Sequence, residues 1–267
     1  MKLTIQKTFK KLQREGKKAF IPYIMAGDPD LEKTREIVHL FEECGADIVE
    51  LGVPFSDPLA DGPTIQRASE RALQNGVTLR NVIAHVKKFS QEIRIPIVLM
   101  TYYNPVFKYG IELFISDARE AGIDGVIIPD LPPDEAAEFL TLSKRAHLNT
   151  IFLLAPTSTE DRIKKVVKAS TGFIYYVSIT GITGAALLLD GSMEVLISNI
   201  RKYTDKPIAV GFGVSTPEEA SAVAGISDGV IVGSAIVKRL HSAPHELKQY
   251  LTSLKESIQH ERFQKKA

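Results

Sequence analysis

The stretch KPIAVGFGVSTPEEASAVAGISDGVIVGS, residues 206–234, carries the pattern that decides the fold. Two apolar runs, KPIAVGF (206–212) and DGVIVG (228–233), flank a longer stretch of mixed polarity. Each run is apolar at successive positions instead of alternating, as strands covered on both faces read. Ser215-Thr216-Pro217 between them is a helix cap followed by proline at the first helical position, where a missing N–H costs nothing. The unit is strand, helix, parallel strand. Both strands end in glycine-rich turns, Gly211-Phe212-Gly213 and Gly233-Ser234, the second opening a short helix from Ala235 to Leu240.

The same unit recurs backwards along the chain. Further strand runs are AFIPYIM (19–25), ADIVELGV (46–53), IPIVLMTY (95–102), DGVIIPD (124–130), NTIFLLA (149–155) and GFIYYVS (172–178). Helical stretches fit between them at 31–44, 62–73 with 78–91, 111–121, 134–146, 159–169, 192–203 and 217–225. Thr159 caps one of these and Ala121-Gly122 ends another. Eight strand–helix repeats leave no chain for a second domain, so residues 1–267 read as one closed α/β unit, a (β/α)₈ TIM barrel. An open doubly wound sheet using six or seven of the units is the rival. The count of eight and the glycine turns after the last two strands favour the barrel. Ile5, Phe9 and Leu12 line one face of an N-terminal helix suited to cap the barrel floor. The tail from 255 onward is expected to fray after its helix.

Composition sets outer limits. The chain has 267 residues, 44% hydrophobic and 24% charged, an ordinary globular balance. Lysine plus arginine number 33 and aspartate plus glutamate 32, for a formal charge of +1, which gives no global field toward nucleic acid or an anionic membrane. The lysine doublets at 10–11, 87–88 and 164–165 lie on helices among acids and read as solvated faces. No uncharged run approaches 18 residues, and the N-terminus lacks a secretory apolar core, so the cytoplasm is expected, or an organellar stroma if a transit segment has been removed. Cys44 is alone, so no internal disulfide and no metal-binding cysteine pair is expected.

In such a barrel the chemistry stands at the carboxyl ends of the strands. Glu50 is a carboxylate inside an otherwise apolar strand, sharing parity with Ile48 and Gly52. Facing helices it would be an unpaired buried charge; facing the interior it meets substrate with a raised pKa, as a general acid or base requires. The alternative is a structural pair with an interior base, and no strand supplies one in its middle. The following loop, PFSDPLADGPTIQ (54–66), is stiffened by three prolines and carries Asp57 and Asp61. Asp61 reads equally as a functional group and as a helix cap, and Asp57 has the same standing, with orientation of a neighbouring loop as a third role. Gly211, Gly213, Gly233 and Ser234, with Gly181 and Gly184 after the sixth strand, offer backbone N–H groups and a helix start to a phosphate. Tyr23, Tyr102, Leu153, Tyr175 and Phe212 stand near strand ends, where they either wall a pocket for a flat ring or pack the top layer.

Absences narrow the class. The six histidines fall in helices or the tail, away from strand ends, so no metal cage is expected. Strand-end lysines are missing, which removes the obvious Schiff-base nucleophile. AGDPD after the first strand is no dinucleotide fingerprint. Metal-free carboxylate acid–base work on a phosphate-bearing substrate remains.

With these residues in view, ELGVPFSDPLADGPTIQ (50–66) resembles the alpha chain of tryptophan synthase. GDP (27–29), GITGA (181–185) after Thr180, GFGVSTPE (211–218) and GSAIVK (233–238) extend the likeness along the chain. The resemblance implies a (β/α)₈ lyase that splits indole-3-glycerol phosphate into indole and glyceraldehyde 3-phosphate with no cofactor of its own. It also implies an alpha2-beta2 complex with a beta chain that holds pyridoxal phosphate. By the same resemblance Glu50 is the proton shuttle and Asp61 accepts from the indole N–H. Gly184, Gly213, Gly233 and Ser234 cradle phosphate, and Phe212 walls the indole. Asp57 and Thr183 join two loops on closure. The run Ala185 to Leu189 is apolar where the family is commonly polar, which suits packing on the rim or on a partner. Two other readings are a phosphosugar isomerase or epimerase, which would want strand-end histidine or lysine, and a catalytically weak regulatory barrel.

Overall fold

The structure, a computed structural model, describes residues 2–177, 191–211 and 213–259. Strand β1 (Ala19–Met25) pairs in parallel with β2 (Val49–Gly52) on one side and β9 (Gly229–Val232) on the other. From β2 the sheet continues through β3 (Ile97–Met100) and β4 (Gly125–Ile127) to β5 (Asn149–Ile151). From β9 it continues through β8 (Ile208–Gly211) and β7 (Ile174–Val177) to β6 (Leu153–Leu154). β5 and β6 are halves of one segment interrupted at Phe152, so both ends of the sheet are the same piece of chain. The ring is therefore closed, with eight parallel segments around it. Across the closure the Tyr175 N–H donates to the Phe152 carbonyl at 3.1 Å and the Thr171 N–H to that of Thr150 at 2.8 Å.

Alternate residues explain why the strands read as unbroken apolar runs. Ile21, Ile48, Val98, Ile127, Ile151, Tyr175, Ala209 and Ile231 point inward and form one cluster. Their neighbours Val49, Leu99, Val126, Ile174, Val210 and Val230 point outward into a second cluster shared with the helices. Burial on both faces removes any polar alternation. The inner cluster is closed from below by α1 (Ile5–Arg14), whose Ile5, Phe9 and Leu12 enter it, with the Phe9 and Phe173 ring centroids 5.7 Å apart. The capping role expected of that helix is met.

A recurrent clamp ties successive strands at the floor. An aspartate just before one strand accepts from the N–H near the start of the strand before it: Asp47 from Phe20 at 2.8 Å, Asp124 from Ile97 at 2.9 Å, Asp228 from Ile208 at 2.8 Å. Each also meets a cation, Lys255, Lys2 and Arg201 respectively.

The helices around the barrel are α2 (Leu31–Glu43), α3 (Pro63–Gln74), α4 (Leu79–Phe89), α5 (Tyr103–Tyr109), α6 (Ile111–Glu120) and α7 (Ala137–Arg145). They continue with α8 (Glu160–Ala169), α9 (Ser192–Arg201), α10 (Pro217–Ile226), α11 (Ser234–Ser242) and α12 (Leu247–Gln259). Thr216 caps α10 in a capping box with Glu219, and Thr159 caps α8. Two sequence expectations need correction. α5 was absent from them because Pro105 sits inside it; proline is tolerated there because it falls in the first turn, where N–H groups lack intrahelical acceptors. His147 lies in the turn before β5 at a positive φ of 56°, not in a helix. The helix of the tail runs past 255 to Gln259, because Leu251, Leu254 and Ile258 repeat on one buried face and Lys255 pairs with Asp47 at 2.7 Å; the fraying expected after it falls on residues 260–267, outside the described residues. Among the described residues no helix is long and apolar enough to cross a membrane.

Candidate active site

The site is built where β2 meets β1. Glu50 lies on the inward face of β2, two residues above Ile48, and its register partner on β1 is Tyr23. It is 1% exposed, and among the described residues neither carboxylate oxygen has a hydrogen-bond partner. The structural-pair reading therefore fails: among the described residues no interior base meets it. Burial, with the Asp61 charge adding to it, pushes its pKa up to about 8. The carboxyl group is thus mostly protonated at neutral pH and ready to give a proton.

Asp61 arrives from the loop between β2 and α3. It is half-buried, and burial raises its pKa to about 6 against the lowering effect of a hydrogen bond from the Tyr102 hydroxyl. The cap alternative fails as well, because Gly62 is the N-cap of α3 and no side chain caps that helix. Tyr102, placed at the end of β3, also accepts from the Ala60 N–H at 3.0 Å, and its ring stacks on Phe55 at 5.2 Å. Ser69 on α3 fixes the other end of the loop by bonding both the N–H and the carbonyl of Phe55, at 2.9 and 3.0 Å. Asp57 is exposed, with the Ser56 hydroxyl donating to it at 2.7 Å.

Two glycines at strand ends make room for tyrosine rings. A Cβ on Gly52 would collide with the Tyr23 hydroxyl and stand 2.6 Å from its Cζ; one on Gly211 would collide with the Tyr175 hydroxyl and stand 2.7 Å from its Cζ. Both tyrosines are buried, and burial together with the Glu50 and Asp61 charges holds their hydroxyls well above the usual phenol range, so they remain protonated donors. Leu153 pairs with Tyr175 across β6 and β7 and is half-buried against the inner cluster. The five expected pocket residues thus include four described here, Tyr23, Tyr102, Leu153 and Tyr175, all at the upper barrel.

On the rim beside β1, Gly233 is the N-cap of α11 and Ser234 its first residue, exposed to solvent. The first N–H groups of that helix have no intrahelical acceptor and carry the positive end of its dipole. Gly213 follows β8, the strand paired with β9, at a φ of +38°. Thr183, Gly184 and Phe212 lie outside the described residues, as does the run Ala185 to Leu189. Among the described residues no group of three or more histidine, cysteine, aspartate or glutamate side chains is placed to hold a metal, and Cys44 is a buried free thiol.

One cluster escaped the sequence reading. Asp28, in the turn after β1, is buried and bound by Arg71 of α3 and His241 of α11. Its signal was the aspartate of AGDPD at a strand end, where a buried carboxylate needs a cation; which cation answers it depends on helices distant in sequence.

Known proteins fit this geometry. The pattern of the tryptophan synthase alpha chain family matches residues 9–266. The chain is 52% identical to the tryptophan synthase alpha chain of Geotalea daltonii over 88% of its length and 89% of the relative's. It is 50% identical to that of Geobacter sulfurreducens over 94% and 97%. Among solved structures, Mycobacterium tuberculosis tryptophan synthase superposes with a TM-score of 0.90 at 38% identity, covering 97% of this chain and 100% of that one. The alpha subunit from Legionella pneumophila gives 0.88 at 37%, covering 95% and 97%. With a buried, unpaired glutamate on β2, an aspartate on the loop above it and a match along nearly its whole length, the chain belongs to the tryptophan synthase alpha chain family.

Proposed function

We propose that Glu50 and Asp61 together carry the retro-aldol cleavage of indole-3-glycerol phosphate by which this family makes indole and glyceraldehyde 3-phosphate. The observation that carries the assignment is the pair of unpartnered carboxylate oxygens of Glu50, buried beneath the loop that brings Asp61. The two acids are held at about 8 and about 6, so near neutrality one keeps its proton while the other is mostly ionised.

The steps balance with those two groups alone. Protonated Glu50 delivers its proton to indole C3, and the ring becomes an indolenine whose N–H carries positive charge. Ionised Asp61 accepts from that N–H and stabilises the charge. The Glu50 carboxylate then takes the proton of the glycerol hydroxyl on the carbon bonded to C3. The carbon–carbon bond breaks, its electron pair returns to the ring, the aldehyde forms, and the delivered proton stays on C3. Glu50 ends protonated, ready for the next turnover.

The remaining roles are part of the same proposal. Gly213, Gly233 and Ser234 receive the phosphate, supported by the free N–H groups at the start of α11. Tyr23, Tyr102, Leu153 and Tyr175 surround the indole. Family membership implies an alpha–beta partnership, and we assign this chain to an alpha2-beta2 complex whose beta chain holds the pyridoxal phosphate. Leu59, 93% exposed at the tip of the Asp57–Asp61 loop, and Phe107, 64% exposed on α5, suit a protein partner at the carboxyl face of the barrel. The cytoplasm is the compartment we assign to the reaction.

Indole release from indole-3-glycerol phosphate by the purified chain, with Glu50→Gln alongside, tests the assignment. Turnover in the wild type that is lost in the variant and stimulated by a beta chain supports it. No indole with or without the beta chain overturns it.

A further inference from the structure

The proposed chemistry leaves one charge unaccounted for. Midway through turnover Glu50 becomes a carboxylate in a place where neither oxygen has a partner. A buried anion with no donor is expensive, and the step that creates it would be slowed accordingly. The glycerol hydroxyl it is about to deprotonate meets one oxygen, and a donor from the barrel on the other would stabilise the same intermediate.

Titratable groups turned toward this region come from four elements: Tyr23 of β1, Asp61 of the loop after β2, Tyr102 at the end of β3 and Tyr175 of β7. Asp61 is an anion and opposes a second one. The Tyr102 hydroxyl is committed to Asp61 and to the Ala60 N–H. Tyr175 reaches in from β7, across the ring, and also feels the Glu50 charge, but its hydroxyl is seated in the space a Cβ would take at Gly211, away from β2 and its neighbour β1. Tyr23 remains. It is the register partner of Glu50 on the adjacent strand. Its ring crosses onto β2 so that the hydroxyl fills the space a Cβ would take at Gly52, two residues above Glu50 on the same inward face. Its other edge lies 3.3 Å from where a Cβ would stand on Gly233, so the ring is wedged between β2 and β9. A phenol held between two glycines, beside a carboxyl group, is placed to donate to that carboxylate.

We propose that the Tyr23 hydroxyl hydrogen-bonds the Glu50 carboxylate when Glu50 gives up its proton, making Tyr23 a positioning residue that stabilises the anionic half of the shuttle. This rests on the proton-shuttle role assigned to Glu50 above. Tyr23 keeps its own proton throughout, so no atom is gained or lost. In the resting state Glu50 is neutral and the bond is absent, as the structure has it.

Tyr23→Phe keeps the ring and deletes only the donor. Losing a hydrogen bond to a charged group is expected to lower kcat by roughly 10–100-fold with little change in KM. The same loss raises the pH at which Glu50 ionises by about one to two units. The second effect is read without catalysis, from the infrared carbonyl stretch of protonated Glu50 followed against pH and identified by its absence in Glu50→Gln. Gly52→Ala gives an independent variant, because its Cβ displaces the hydroxyl while leaving Tyr23 in place. Upward movement of the Glu50 titration in either variant supports the proposal. An unmoved titration in the folded Tyr23→Phe protein, or in Gly52→Ala where Tyr23→Phe does not fold, overturns it. A purely packing role would lower the melting temperature and leave the titration where it was. If the wild type makes no indole at all, the lyase assignment fails, while the titration still decides whether Tyr23 serves Glu50.

Discussion

Arg71 grips Asp28 with two parallel bonds, Nε to Oδ1 and Nη2 to Oδ2, each 2.8 Å long. Asp28 is 1% exposed and follows β1, the strand of Tyr23. Arg71 stands on α3, which begins just after Asp61, and His241, 2.9 Å from Oδ2, stands on α11, which begins at Ser234. One buried carboxylate therefore ties together the three segments that carry Tyr23, Asp61 and Ser234. The His241 Nε2 is also 2.9 Å from Arg71 Nη2. That nitrogen donates to Asp28 in one tautomer or accepts from Arg71 in the other, never both.

Arg71→Ala is expected to destabilise the protein by about 1.5–3 kcal/mol, the usual cost of stripping a charged hydrogen-bond partner from a buried group. The Arg71 side chain is 38% exposed, which favours the lower end. Urea unfolding of wild type and variant at one pH measures it, and an unchanged midpoint would show that His241 alone satisfies Asp28.

Glu50→Gln should abolish indole formation and stabilise the fold in alkaline solution. The folded carboxyl group titrates near 8 and the unfolded one near 4.5, so between those values the unfolded chain ionises while the native state holds its proton. Native stability therefore falls as pH rises through that window, by on the order of 5 kcal/mol in all. The variant escapes this loss. Its melting temperature should exceed that of the wild type at pH 8 and match it near pH 4.5; a variant that is less stable at pH 8 would contradict the buried, unpaired placement of Glu50.

The pH dependence of kcat/KM should be bell-shaped. Activity rises as Asp61 ionises through about 6 and falls as Glu50 loses its proton through about 8. The Asp61 charge contributes to the raised value of Glu50. In Asp61→Asn the residual activity should lose the ascending limb, and the descending limb should move to lower pH, opposite to the movement expected for Tyr23→Phe. A descending limb that stays in place would mean that the two acids do not sense each other.

Tyr102→Phe removes the hydroxyl that holds Ala60 and Asp61. KM for indole-3-glycerol phosphate should rise about threefold to tenfold, the worth of an ordinary hydrogen bond. Proteolytic nicking within 54–62 should quicken as the loop is released. Because the lost bond lowers the Asp61 pKa, the ascending limb should shift upward. Unchanged nicking together with an unchanged limb would remove Tyr102 from loop control.

Sequence alone determined the barrel and singled out Glu50 within it. Strands buried on both faces must be apolar at every position, so eight such runs are visible without coordinates, and a charge inside one of them, Glu50, stands out against that background. The helix caps at Thr159 and Thr216 and the packing of Ile5, Phe9 and Leu12 were equally legible, because each depends on spacings of three or four residues. The helix around Pro105 was not, since whether a proline falls in the first turn depends on where the helix starts. Tertiary structure alone decided who stands beside whom. It left Glu50 without a basic partner, gave the cap of α3 to Gly62 and freed Asp61 to meet Tyr102. It also laid Tyr23 over Gly52 and gathered Asp28, Arg71 and His241 from segments up to 213 residues apart. Local order is written in short-range pattern, whereas desolvation and hydrogen bonding are properties of the surroundings. Those surroundings exist only once the ring of strands has closed.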